Sequence, residues 1–174
     1  MTPCTRLIGC LAAATLLAGC SSHNAPPPES PAAAASASAG TTPTDTHQAV
    51  RSVVEAFGQQ MQEISVLAPP AAVRDELPRV YGEVLTPDLL AQWRAHPDLA
   101  LGRQGSSPWP QRIEVHKVDC GQPDACRAVG DVDYITSNEV AHGGVFMRRA
   151  VTLEVNRNAN GWRIASVRLG PPRR

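Results

Sequence analysis

The spacing of apolar residues changes once along this chain, near residue 110. Before that point Val50, Val53, Val54, Phe57, Met61 and Ile64 recur at the intervals that line one face of a helix. Asp45 or Thr46 is placed to cap its start, and Gly58 weakens it without ending it. Pro69-Pro70 opens a second, shorter helix containing Val73 and Leu77. Pro78 should kink or stop it, because proline removes a helical donor and clashes with the preceding turn. Thr86-Pro87 starts a third helix, with threonine at the cap and proline in the first turn. Leu89, Leu90 and Trp93 form its apolar face, and His96-Pro97 ends it. A loop rich in Gly, Ser and Pro runs from Asp98 to Pro110.

Beyond the loop the period becomes two. Ile113 and Val115 alternate with Glu114 and His116 in a first strand. From Ala128 to Thr136, Ala128, Gly130, Val132 and Tyr134 share one face, and Asp131 and Asp133 share the other with Val129 and Ile135. Asn138 to Gly144 makes a turn. Val145, Met147, Val151, Leu153 and Val155 then line one face of a long strand, with Arg149 as the odd member. Asn158-Ala159-Asn160-Gly161 signals a hairpin, and Trp162 to Leu169 completes a four-stranded antiparallel meander. Helices followed by such a meander imply an α+β domain in which N-terminal helices pack on a curved sheet.

Helices first, then a meander ending in Asn160-Gly161-Trp162-Arg163-Ile164, resembles the cystatin-like cone of the nuclear transport factor two superfamily. The resemblance covers most of residues 50–169 and implies a pocket between the first helix and the sheet. The superfamily includes ketosteroid-isomerase-like enzymes, so it also raises a catalytic alternative.

Composition divides the chain before this domain. Residues 21–44 are dominated by Pro, Ala, Ser and Thr, and too little of that stretch can be buried to offset the entropy of ordering it. About 25 residues of extended polyproline-like chain at about 3.1 Å each would reach about 75 Å. Ahead of it, Arg6, an apolar stretch from Leu7 to Ala18 and small residues leading to Cys20 follow the pattern of a secretory signal. The stretch is short of the roughly 20 residues needed to span a bilayer. Leu17-Ala18-Gly19-Cys20 resembles the lipobox of bacterial lipoproteins, which implies lipid on Cys20 and cleavage before it. Ser21, in place of aspartate, implies sorting to the outer membrane of a Gram-negative host. The expected organisation is a signal at 1–19, a lipidated tether at 20–44, a domain at 45–169 and a tail at 170–174.

Cys4 and Cys10 leave with such a signal, so Cys120 and Cys126 are the pair left in the domain. In an oxidising compartment they are expected to form one disulfide, closed by the turn-forming Gly121 and Pro123-Asp124. Half a zinc site is the alternative, but the spacing is wide and no second pair exists.

Sixteen basic and sixteen acidic residues balance. Arg148-Arg149 and Arg173-Arg174 are too scattered in sequence to form the basic face that nucleic acid requires. Asp131 and Asp133 are the only candidates for paired acid-base work, and strand alternation towards solvent accounts for them more simply. Ser106, Ser107, His96, His116 and His142 carry no nucleophile or metal spacing, and His23 and His47 belong to or border the tail. No metal or cofactor is implied. The candidate pocket residues are Arg149, Trp93 and Trp109. A charge at Arg149 on an apolar row needs a partner or a route to solvent, with Glu139 or a neighbouring aspartate as the expected partner.

Taken together, the sequence leads to the expectation of a lipid-anchored, non-catalytic binding or assembly module of the cell envelope. It would hold the bilayer through Cys20 and contact an envelope protein, the wall or a small ligand. An enzyme using the cone pocket, and a structural subunit of a secretion or wall assembly, are the alternatives.

Overall fold

The computed structural model describes residues 42–174. The lipobox, Cys20 and nearly all of the expected tether lie outside the described residues.

The first helix, α1, spans Pro43–Gln60. Its cap is Thr42, ahead of both expected candidates. The Asp45 amide donates to the Thr42 hydroxyl at 3.2 Å, and the Thr42 amide donates back to the Asp45 carboxylate at 3.3 Å. This closes a capping box with Pro43 in the first turn. Val50, Val54 and Phe57 are fully buried, and Met61 and Ile64 are buried in the turns that follow. Helix α2, Pro70–Tyr81, continues past Pro78 rather than stopping there. Pro78 is exposed, and burial of Leu77, Val80 and Tyr81 around it holds the last turn together despite the missing donor. Helix α3, Pro87–Ala95, starts at the expected Thr86 cap and gives way to a 3-10 turn at Pro97–Leu99.

Strands β1 (Trp109–Gln122), β2 (Ala125–Ile135), β3 (Met147–Asn158) and β4 (Gly161–Arg173) pair antiparallel in sequence order. The α+β architecture expected from the pattern is thus present, with helices packed on a four-stranded meander. β1 begins at Trp109 rather than Ile113. β4 runs to Arg173, through residues expected as tail. Between β2 and β3 the expected plain turn contains a one-and-a-half-turn helix, α4 (Ser137–His142), capped by Thr136 with Glu139 reaching back to the Thr136 amide at 2.8 Å. Val145 falls before β3, outside the row assigned to it.

One face of the sheet meets the helices. Ile113, Val115, Ala128, Val132, Val151, Leu153, Val155 and Ile164 close a core with α1. A register shift after Val115 makes Val118, not Lys117, the next inward residue. Phe57, Tyr81 and Trp93 pack ring on ring, with centroids 5.3–6.2 Å apart. Trp93 is therefore core filler, and its expected place in a pocket wall is corrected. A Cβ on Gly58 would lie 2.5 Å from the Ile113 backbone nitrogen. Absence of a side chain is what lets α1 reach β1.

α1 runs antiparallel to β1. Arg51 Nη1 donates to the Val115 carbonyl at 2.5 Å, and Gln62 Nε2 to the Gln111 carbonyl at 2.7 Å. The start of α1 shares a surface cavity with the β1–β2 turn, where Pro43 and His47 face Gly121 and Gln122. The chain enters the domain at that end. The other end, where β3 begins and β4 finishes, lies roughly 30 Å away at the usual rise of a strand.

Candidate functional site

At the entry end the Cys120 and Cys126 sulfurs are 2.07 Å apart, bonded as a disulfide. It closes the tip of the β1–β2 hairpin, as the turn-forming residues between them led one to expect.

The chemistry gathers at the opposite end. Register pairs Arg112 with Asp133, Asp133 with Arg148, and Arg148 with Arg173, so these four side chains form one row across the outer face. Asp133 was expected to be solvated by strand alternation. It does point outward, but its side chain is 0% exposed, covered by the guanidinium groups it binds. Arg148 Nε donates to Asp133 Oδ1 at 2.9 Å. Arg112 Nη2 also lies 2.9 Å from Oδ2, off a hydrogen-bonding direction, so that contact is electrostatic. The Asp133 carboxylate beside it raises the pKa of the Arg148 guanidinium further. In the next row Asp131 accepts from Arg173 and lies 3.1 Å from His116 Nε2. The two aspartates are thus the counter-ions of an arginine cluster, and both are committed to it.

Arg149 points the other way, into the helix-facing side. Its expected partners are corrected: neither Glu139 nor an aspartate reaches it. Arg149 Nε donates instead to the Gly170 carbonyl at 3.0 Å, and no carboxylate pairs with it among the described residues. Glu139 is held by the Thr136 cap, whose hydrogen bonds lower its carboxyl pKa.

Beside Arg149 opens a surface pocket of about 340 Å³. Tyr134, Phe146, Met147 and Pro108 supply its apolar walls. Gln104 and Ser107 supply neutral polar groups, and Arg174, stacked 5.4 Å over the Phe146 ring, stands with Arg149 as its second cation. No acidic residue lines it. Burial raises the pKa of the Tyr134 hydroxyl, against the opposing pull of Arg149, so at neutral pH it remains a donor. A second pocket of about 360 Å³ lies on the other side of Phe146, against Arg148, Arg173 and Asp131. The corner is cationic with a half-exposed aromatic at its centre.

Of the three expected pocket residues, Arg149 alone reaches this pocket. Trp109 is half-buried on the outer side of β1, under Arg103 at 6.0 Å from its ring. His142 lies 3.1 Å from the Asn138 carbonyl, within its own short helix. Among the described residues no group of three or more His, Cys, Asp or Glu side chains is placed to hold a metal ion. Tyr134, Phe146 and Arg174 were missed as site residues. The available signal was the repeated Arg-Arg pair at 148–149 and 173–174 on strands predicted to be neighbours.

No protein-family model matches this chain, and no curated protein or solved structure matches it.

Proposed function

We propose that this protein is a lipid-anchored module of the cell envelope that binds an anionic ligand at the Arg149 corner without turning it over. The observation that carries this reading is the contrast between neighbours. Arg148 and Arg173 are neutralised by aspartates, whereas Arg149 and Arg174 line a pocket without an acidic side chain and form no ion pair among the described residues. A half-buried guanidinium without a counter-ion is costly in the free protein, and a ligand anion removes that cost. The pocket offers donors and cations but no general base, since Asp131 and Asp133 face away from it. That arrangement supports binding over isomerase-like catalysis. The cone of the nuclear transport factor two superfamily belongs to this proposal too, because helices packed on an antiparallel meander are compatible with it.

The anchor rests on Leu17-Ala18-Gly19-Cys20, and Ser21 favours the outer membrane, with the domain in the periplasm. The arginine corner lies at the far end from the point of entry, free to meet an envelope protein, the wall or a small ligand.

Two measurements test the reading. Labelling with a fatty-acid analogue should mark the wild type and not Cys20→Ser; equal labelling of both removes the anchor. A thermal-shift panel of phosphate, sulfate and simple carboxylates should raise the melting temperature of the wild type and not of Arg149→Met. Absence of any Arg149-dependent shift removes the binding site.

A further inference from the structure

Building on the anion-binding reading, we infer that the pocket beside Arg149 takes the carboxylate end of an apolar molecule, with the acid at Arg149 and the apolar body against Phe146. The planar fork of Arg149 and the chemistry of the walls point there together.

Arg149 is oriented before any ligand arrives. Its Nε is occupied by the Gly170 carbonyl at 3.0 Å and its guanidinium also bonds the Tyr134 side chain, so the planar group is held at the pocket wall. The paired N–H donors of such a group match the two oxygens of a carboxylate. Arg149 is the half-buried cation of the pocket; Arg174, exposed and stacked on Phe146, is the second. The neutral donors are the Tyr134 and Ser107 hydroxyls and the Gln104 amide.

The remaining wall, formed by Phe146, Met147 and Pro108, is apolar. Phe146 is 37% exposed although it is a large hydrophobic residue, and Met147 and Pro108 continue its surface. Methionine and an aromatic ring make an adaptable apolar wall. The volume of about 340 Å³ lies at the small end of the roughly 300–1,000 Å³ typical of ligand sites. It suits a small acid or the last residue of a chain. A free organic acid and the C-terminus of a peptide present the same chemistry, and the test separates them.

Purified full-length protein is titrated calorimetrically with four probes: 3-phenylpropionate, its amide, acetyl-Ala-Ala-Phe with a free carboxylate, and the same peptide amidated. At least one acid should bind, at least tenfold more tightly than its amide. Arg149→Met should remove that preference, and Tyr134→Phe, which keeps the ring, should weaken the acid several-fold. Arg168→Met, on the exposed outer side of β4, should change nothing. If Arg149→Met does not fold, Arg149→Lys substitutes for it, keeping the charge and losing the fork, with a several-fold loss expected. Tight binding of the peptide acid alone identifies a chain terminus, and binding of phenylpropionate identifies a free acid. Equal binding of acid and amide, or of both by Arg149→Met, overturns the inference. If neither acid binds while phosphate still gives an Arg149-dependent thermal shift, this inference falls and the anion-binding reading survives. If no anion gives such a shift, both fall.

Discussion

Arg148 and Arg173 stand directly opposite each other on β3 and β4, two like charges in one cross-strand pair. Such a pair is destabilising by itself. Here each arginine is drawn towards a different aspartate of β2, Arg148 to Asp133 and Arg173 to Asp131. The outer face at this end is therefore held by an alternating lattice of charge, and its buried member is Asp133. Asp133→Asn should destabilise the domain by about 2–3 kcal/mol, below the usual cost of breaking a fully buried pair because the arginines are half in water. Urea unfolding with the slope held constant measures it. A loss below about 0.5 kcal/mol would show that the burial of Asp133 carries no special weight.

Gly58→Ala sets two effects against each other. Alanine improves an isolated helix by up to about 1 kcal/mol. The new methyl would meet the Ile113 nitrogen at 2.5 Å and push α1 off β1, an overpacking cost of about 1–3 kcal/mol. The substitution should therefore destabilise, and a raised melting temperature would show the contact to be yielding.

Protein recovered from an oxidising compartment should show no free thiol at Cys120 or Cys126 by alkylation under denaturing conditions. The loop is short, with a sequence separation of 6, so the chain-entropy contribution is about 2 kcal/mol. Replacing both cysteines with serine should lower the unfolding free energy by that amount and leave a folded domain.

Acid should loosen α4. The Glu139 carboxyl is held below its usual value by hydrogen bonds from Thr136. A depressed carboxyl stabilises the fold above its unfolded pKa of about 4.3, and that contribution disappears as pH falls through the lower folded value. The Thr136 amide resonance should titrate in that range in the wild type. In Glu139→Gln, where the neutral amide oxygen still accepts, it should not.

The helix–sheet layout was legible because its apolar periods are long and clean: Val50 to Ile64 at helical spacing, Val151 to Val155 at strand spacing. The site was harder to see because of two register shifts. Counting outward from the Asn158–Gly161 turn places Pro171 opposite Arg148. Ala165 is one extra residue in β4, and a second extra residue lies between Leu169 and Pro172, so Arg173 takes that place instead. Two Arg-Arg pairs that look scattered thus converge, by a device that alternation patterns do not record. The burial of Asp133 was equally hidden. Its neighbours on the same face are supplied by β1 and β3, so only the assembled row reveals that arginines cover it.

The placement of Thr42 and Arg149 at opposite ends of the domain has a mechanical consequence. A pull applied between the chain entry and a ligand held at Arg149 runs parallel to the strands. Thr42 caps the start of α1, so the pull enters the sheet through the packing of α1 on β1 and the Arg51 and Gln62 hydrogen bonds, and it loads these contacts together along the strand direction. Sliding α1 along β1 must disturb those contacts together, whereas a pull away from the sheet would lift the helix off them in succession.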